Sequence, residues 1–412
     1  MSLIVQKYGG TSVGSAERIR NVARRILDSH QAGDQIVAVV SAMSGVTNRL
    51  IELSEQVTGK AQSATEREMD VLLSTGEQTT IALISMAINS MGGKAVSLTG
   101  AQAGIQTDGV HTRARISNIE PDEVHRLLDD GNIVILAGFQ GRSPKGYITT
   151  LGRGGSDLTA IAMASAVGAE LCQIYTDVNG VYTCDPRVVK CAQKIDEISY
   201  DEMLEMASSG SKVMQSRSVE FAKKFGVRFE VRSSLNQEPG TLVREETMSM
   251  ESVVIRGISL ERDQAKVTIA GVRDQPGTAS KVFTAIAAAD IIVDMIVQNV
   301  SKTGTTDISF TVGQADLAKA EEVLNAILPE IGDGVRLLSQ PDIAKLSVVG
   351  IGMRSHSGVA SQMFDTLSKA GINIQMISTS EIKITVTVAN DEIDDAARAV
   401  HTAFGLDEEA AS

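Results

Sequence analysis

The sequence predicts an α/β protein in two parts: a mainly parallel sheet covered by helices, then a pair of small duplicated α/β modules. Three observations carry this. Up to about residue 235, short apolar runs alternate with amphipathic stretches, the pattern of a parallel sheet buried on both faces. Residues 236–252 (NQEPGTLVREETMSMES) are polar and charged and contain Pro-Gly, which suits a boundary. Beyond them the chain repeats itself. Gly271-Val-Arg-Asp-Gln-Pro-Gly277-Thr-Ala-Ser280, followed by Phe283, Ile291 and Met295, recurs as Gly350-Ile-Gly-Met-Arg-Ser-His-Ser-Gly358-Val-Ala-Ser361, followed by Phe364, Ile372 and Met376.

In chain order, Leu3–Lys7 reads as a short strand, followed by Gly9-Gly10 and the amphipathic stretch Ala16–Asp28. Ile36–Val40, Ala95–Leu98, Ile133–Ala137 and Leu171–Tyr175 read as further buried strands. Helical patterns occupy Thr65–Ser90, Pro121–Asp129, Leu158–Val167 and Tyr200–Phe225. In such sheets ligands sit beyond the carboxyl ends of the strands, where the Gly-rich segments 9–10, 44–45, 152–155 and 177–180 fall. Each C-terminal repeat reads as strand, turn, helix, strand, strand. At about 80 residues it is longer than helical or propeller repeats.

Composition narrows the function. The chain has 412 residues and a formal net charge of −13, with 13 aromatics and no tryptophan. It lacks the basic, stacking surface of a nucleic-acid binder. The longest apolar runs fall short of a membrane span, and the N-terminus does not read as a signal peptide, so the expectation is a cytoplasmic protein without membrane contact. Cys172, Cys184 and Cys191 form no CxxC pair and suit reduced thiols. The five histidines are scattered, so no metal site is expected from the chain's own ligands. An enzyme of this composition would work through carboxylates, lysines, arginines and backbone amides.

Lys7-Tyr8-Gly9-Gly10-Thr11-Ser12 follows a strand and precedes a helix. The glycines let backbone approach a phosphate, the helix start favours an anion, and Lys7 adds a charge with no evident packing role. The same turn closes the bend in many α/β folds, and a Walker A sequence is absent, so both readings stay open. Gly152-Arg-Gly-Gly-Ser-Asp157 also precedes a helix. Ser156 or Asp157 suits a plain N-cap, while an arginine flanked by glycines suits a carboxylate or phosphate. Thr176-Asp-Val-Asn-Gly-Val-Tyr-Thr-Cys-Asp-Pro-Arg187 places polar groups after a strand, and by composition alone could be a hairpin.

Taken together, KYGGTS at the start, VSAMSGVTN at 40–48, STGEQ at 74–78, GRGGSD at 152–157, TDVNGVYTCDPR at 176–187 and SKVMQ at 211–215 resemble the aspartate kinases of the amino-acid kinase family. The two repeats resemble that family's ACT modules. The resemblance implies a kinase domain over 1–240, a first ACT module over 264–340 and a second built from 250–263 plus 341–412. It implies phosphorylation of the β-carboxylate of L-aspartate by ATP, with Mg²⁺ accompanying the nucleotide, as the first step toward lysine, threonine and methionine. Such a reaction needs positive charge and alignment and no general base, because the acceptor carboxylate is already ionised at pH 7.

By resemblance, Lys7, Asp157 and Lys212 are catalytic, and Lys7, the Gly9 and Gly10 amides and Lys212 neutralise the transferring phosphoryl group. Tyr8, Ser41, Thr176, Asp177, Tyr182, Arg187 and Val213 complete the nucleotide site. Arg153, with Gly154, Gly155 and Ser156, pairs with the α-carboxylate of aspartate; Glu77 receives its ammonium and Thr47 helps position it. Alternatives are another amino-acid kinase, or an inactive amino-acid sensor on the same scaffold.

Feedback by lysine, threonine or both is expected at the first module. There the turn Asp274, Gly277, Thr278 and Ala279 would take an α-carboxylate, and Asp294 and Gln298 the ammonium and side chain. Asn373 and Ile374 of the second module would reach across an interface, so a dimer is the minimum expected assembly. A product started internally at Met248 or Met250 would retain both repeats; from Met250 it would have 163 residues.

Overall fold

A computed structural model describes residues 2–59, 66–211, 213–246, 254–299, 304–332 and 334–407. They form two compact units. The first begins β1 (Leu3–Tyr8), α1 (Ala16–Gln31), β2 (Gln35–Val40), α2 (Val46–Thr58), α3 (Glu66–Ser90) and β3 (Ala95–Leu98). It continues with β4 (Ile105–Thr107), β5 (Ile116–Ile119), α4 (Asp122–Asp129), β6 (Ile133–Ala137), β7 (Gln140–Arg142) and β8 (Ile148–Thr150). It ends with α5 (Gly155–Val167), β9 (Leu171–Thr176), β10 (Glu197–Ser199), α6 (Tyr200–Ser208), α7 (Ser216–Phe225), β11 (Phe229–Ser233) and β12 (Thr241–Arg244).

Among the described residues, eight strands form one sheet in the order β10-β12-β11-β9-β1-β2-β6-β3. Every pairing is parallel except β11 with β12. The strands are continuous apolar runs such as Ile133–Ala137 because helices cover both faces. One face packs Ile19, Val22, Ala23 and Ile26 of α1 and Ile81, Ile84 and Ile88 of α3 against Tyr8, Ile36, Ala38, Ile133 and Ile135. By length and composition α3 could cross a membrane, yet its buried face carries Asp70, Ser74, Glu77 and Thr80. A second, four-stranded sheet runs β5-β4-β7-β8.

The helical pattern read over Tyr200–Phe225 is two helices. The chain breaks after Ser208, and Gly210 takes φ 106°, where an added Cβ would lie 2.1 Å from the Leu260 carbonyl.

The second unit contains β13 (Gly257–Arg273), α8 (Thr278–Ala288), β14 (Val293–Gln298), β15 (Thr305–Gly313), α9 (Leu317–Ile331), β16 (Arg336–Val349), α10 (Val359–Lys369), β17 (Met376–Thr379), β18 (Lys383–Ala389) and α11 (Ile393–Ala403). Its sheet runs β14-β15-β13-β16-β18-β17. The long central strands serve both repeats: Gly257–Glu261 pairs with 345–349, and Lys266–Ala270 with 336–340. One apolar cluster packs α8 and α9 on the first half, and another packs α10 and α11 on the second.

Residues 182–193 also belong to this unit, although the sequence places them in the kinase portion. Cys184 and Val189 enter the cluster of Ile258, Val359, Met363 and Ile393, and the Thr183 carbonyl accepts from Ile258 N at 2.7 Å. Thr183 Oγ1 lies 2.9 Å from Nε2 of buried His401, and burial keeps that imidazole below its ordinary pKa.

Candidate active site

The site begins where β1 ends. Side chains alternate across a strand, so Lys7 and Tyr8 face opposite ways. The Lys7 ammonium lies 2.5 Å from Asp157 Oδ1 in the first turn of α5, with the side chains 11% and 13% exposed. The contact is an ion pair between two nearly buried groups. This corrects the expectation that the Lys7 charge has no structural role: it neutralises a nearly buried carboxylate. The turn that follows is braced from both sides. Gly9 N donates to the Tyr175 carbonyl at 3.3 Å, Ser41 N to that of Tyr8 at 3.1 Å, and Ser44 N to that of Gly10 at 3.1 Å.

The Tyr8 ring stacks on Tyr175 at 4.6 Å between centroids, and burial drives its phenol far above the ordinary pKa. Only its backbone can face a ligand at this turn. Thr176 and Asp177 stand at the end of β9, with Thr176 Oγ1 donating to Asp177 Oδ1 at 3.1 Å. Val213 is half-buried, and Lys212 lies outside the described residues. Tyr182 and Arg187 belong to the second unit, and Arg187 there pairs with Asp185 at 2.7 Å.

Glu77 on α3 is a core residue and not part of a solvated helix face. Its Oε1 accepts from Ala42 N at 3.0 Å, while Oε2 is buried without a hydrogen-bond partner among the described residues. Gly76 permits the approach: a Cβ there would fall 2.8 Å from the Ala42 Cβ. Burial pushes the carboxyl up to about 7, against the smaller opposing pull of the backbone hydrogen bonds. Thr47 lies half-buried in the first turn of α2, in the chain segment that follows Ala42.

Arg153 is exposed in the turn before α5, and makes no hydrogen bond or ion pair among the described residues. Gly154 caps the helix in the left-handed region at φ 70°, followed by buried Gly155 and Ser156. The loop thus presents a cation left unpaired among the described residues. Missed by the sequence reading are Asp70, which accepts from Thr150 and Thr112, and Arg217, which donates to the Leu151 and Ala114 carbonyls. Two acids seven residues apart on α3 were the available signal, because that spacing puts them on one helix face.

Among the described residues no three His, Cys, Asp or Glu side chains cluster as a metal centre. Asp157 offers a single carboxylate, which fits an ion carried mainly by phosphate oxygens.

In the second unit, Asp274 is exposed before α8, whose N-cap Gly277 is left-handed, with Thr278 buried and Ala279 half-buried in the first turn. Asp294 and Gln298 are both exposed on β14. The Asp294 carboxylate accepts from Lys345 Nζ at 2.6 Å, and that nearly buried ammonium also reaches Glu261 at 3.2 Å. Asn373 and Ile374 lie in the loop before β17. Met248 and Met250 lie outside the described residues.

Residues 2–233 match the amino acid kinase family, and residues 267–328 and 346–404 match the ACT domain. An aspartate kinase of Pseudomonas fluorescens is 54% identical over 408 residues, covering 99% of this chain and 98% of the relative. The chain belongs to the aspartate kinases of the amino acid kinase family. An aspartokinase of Mycolicibacterium smegmatis is 48% identical over 411 residues, covering 98% and 97% of the two chains. Among solved structures, E. coli aspartokinase III in complex with aspartate and ADP, an R-state, superposes with TM-score 0.81 at 26% identity, covering 97% of this chain and 99% of that one. The same enzyme in complex with lysine and aspartate, a T-state, gives 0.77 at 27% identity, covering 97% and 99%. The expectation of an amino-acid kinase domain followed by ACT modules holds.

Proposed function

We propose that this kinase transfers the γ-phosphoryl group of ATP to the β-carboxylate of L-aspartate, giving 4-phospho-L-aspartate and ADP. The observation that carries the reading is Glu77: a buried carboxylate with one oxygen satisfied and the other without a donor among the described residues. An α-ammonium supplies that donor. Arg153 supplies a planar fork for the α-carboxylate, which leaves the β-carboxylate of aspartate to point toward Lys7. The acceptor is ionised at neutral pH, so no base removes a proton. The barrier is repulsion between carboxylate and triphosphate, and Lys7 with the Gly10 amide offsets it on the phosphoryl oxygens, the expected Gly9 amide being taken up by the Tyr175 carbonyl. Asp157 holds the Lys7 ammonium in place; Mg²⁺ on the nucleotide would add charge neutralisation beside Asp157. Ser41, Thr176, Asp177 and Val213 support the nucleotide, with Lys212, Tyr182 and Arg187 assigned to it by family resemblance. ADP release measured with L-aspartate, with L-glutamate and with no acceptor tests the reading. Release with L-aspartate alone supports it, and equal release with L-glutamate opposes it.

The Glu77 carboxyl adds a pH prediction. Binding an ammonium requires the ionised form, so kcat/KM for aspartate falls as pH drops below about 7. In Glu77→Gln the value is low throughout and that limb disappears. Folding moves the opposite way. The folded pKa lies above the unfolded one, so the stabilisation is complete below the ordinary carboxylate range and is lost as pH rises to about 7. Glu77→Gln, neutral at every pH, should therefore melt higher than the parent at pH 8. Thermal melts and rate profiles across pH 5–9 check both.

The expected effectors are lysine, threonine or both, bound at the first module by the Asp274–Ala279 turn, Asp294 and Gln298, with Asn373 and Ile374 lent by another module. Lys345 already occupies Asp294, so an effector ammonium has to displace or share that contact. Asp274→Ala and Gln298→Ala should each raise the inhibitor concentration for half-inhibition at least about tenfold with uninhibited kcat unchanged, as loss of one charged contact implies. Inhibition curves with each amino acid decide it. A homo-oligomer, dimeric at least, and a cytoplasmic location complete the proposal; the three free thiols suit a reducing compartment.

A further inference from the structure

We infer that Asp70 is a positioning residue that fixes the Arg153 loop relative to Glu77; the inference rests on the reading that these two grip aspartate. Asp70 is fully buried on α3, seven residues before Glu77 and on the same buried face. Its carboxylate collects four contacts from outside its own helix. Thr150 Oγ1 donates to Oδ1 at 2.5 Å, Thr112 N lies 3.0 Å from Oδ1 and 3.2 Å from Oδ2, and His111 Nδ1 lies 2.6 Å from Oδ2. The strand that meets Asp70 here runs on to Arg153, and the loop packs beside Gly152.

Thr150 is the last residue of β8, three positions before the arginine. Its carbonyl accepts from Ala114 N at 2.9 Å, and Leu151 N donates to the Phe139 carbonyl at 2.9 Å. Arg217 then bridges the two chains, donating to the Leu151 carbonyl at 3.0 Å and the Ala114 carbonyl at 3.1 Å. Thr112 is held at φ 62°, a left-handed backbone that a β-branched residue adopts only under constraint. The Asp70 carboxylate supplies that constraint. The Thr112 carbonyl lies 3.4 Å from where a Cβ on Gly152 would stand, so the strained turn forms the wall against which Gly152-Arg153 bends.

The arginine is exposed and makes no hydrogen bond or ion pair among the described residues. Its placement is therefore inherited from this buried network, and the network hangs on the helix that also carries Glu77. One rigid element thus sets the distance between the ammonium and carboxylate sites. Misplacing a binding group by about 1 Å costs on the order of a hundredfold in rate.

The test compares kinetics of Asp70→Ala, Thr150→Val and the conservative Asp70→Asn, each alone and combined with Arg153→Ala, with melting curves for all. Thr150→Val keeps the shape and removes only the hydroxyl, so it reports even where Asp70→Ala fails to fold. We expect Asp70→Ala and Thr150→Val to lower kcat/KM for aspartate ten- to a hundredfold, mostly through KM, with KM for ATP within about twofold. Asp70→Asn, which keeps an acceptor oxygen for Thr150 and Thr112, should recover most of the loss. In the Arg153→Ala background the Asp70 and Thr150 changes should have no further effect, because what they position is gone. Aspartate kinetics unchanged in Thr150→Val, equal shifts for aspartate and ATP alongside a lowered melting point, or an effect that persists without Arg153 would each overturn the inference. If Arg153→Ala alone leaves aspartate kinetics intact, the grip itself is misassigned and this inference falls with it. If Arg153→Ala is crippled while the Asp70 and Thr150 variants are silent, only the positioning role fails.

Discussion

Arg153→Ala should lower kcat/KM for L-aspartate at least about a hundredfold while leaving KM for ATP nearly unchanged, as the loss of a charged, bidentate contact made to one substrate only would do. The structure sharpens this expectation. Arg153 is exposed and unbonded among the described residues, so its removal leaves no cavity and no orphaned partner in the free enzyme. The melting temperature should stay within a degree or so of the parent, as for surface changes generally. Arg153→Lys keeps the charge and loses the planar fork, and should recover only part of the loss. Steady-state kinetics in each substrate, with a melting curve, checks all three statements. Near-parental turnover in Arg153→Ala would remove the assignment.

The second large effect is at Lys7. Lys7→Ala should cut turnover by about three orders of magnitude, the scale on which a single electrostatic stabiliser of a transition state acts. It should also melt early, because it strands the Asp157 carboxylate, 13% exposed, without its counter-ion. Breaking a fully buried pair costs roughly 3–5 kcal/mol, and a cleft open to water lowers that figure. Adding Asp157→Asn removes the stranded charge, so the double variant should regain stability without regaining turnover. Calorimetry and ADP release on the parent and the two variants separate the two roles. If the double variant melts as early as Lys7→Ala, the pair is not what Lys7 contributes to the fold.

Much of the scaffold was legible because burial writes itself into apolar runs. Ala95–Leu98 and Ile133–Ala137 are strands with the expected bounds, and α1 begins at Ala16 as its pattern requires. The duplicated C-terminal modules were visible for the same reason, since Met295 and Met376 occupy matching core positions. The four-stranded sheet was not legible. Its strands are three or four residues long and include Gln106, Asn118 and Arg142, so no periodicity marks them. That small sheet carries Thr150 and brings His111 and Thr112 to Asp70, which is why the support of the Arg153 loop stayed hidden while Arg153 itself did not.

Tertiary context decided the remaining cases. Glu77 sits in a helical pattern whose composition does not reveal which face is buried, and only the approach of Ala42 to Gly76 shows it. Residues 182–193 carry a kinase-like motif, yet Thr183, Cys184 and Val189 find their partners in the ACT unit. A pattern confined to neighbouring residues does not encode a contact more than 200 positions away. The charged Lys7 looked free for a like reason: its partner Asp157 lies in another motif, and pairing between motifs is a property of the fold.

Transfer of phosphate to the β-carboxylate of aspartate leaves a product that can be trapped. An acyl phosphate is attacked by hydroxylamine at the carbonyl carbon, expelling inorganic phosphate and leaving a hydroxamate on the carbon that carried it. With ATP, L-aspartate and hydroxylamine present, the β-hydroxamate of aspartate should form in one-to-one amount with ADP, and none should form when aspartate is omitted. ADP formed without hydroxamate, or hydroxamate on the α-carboxyl, would contradict it.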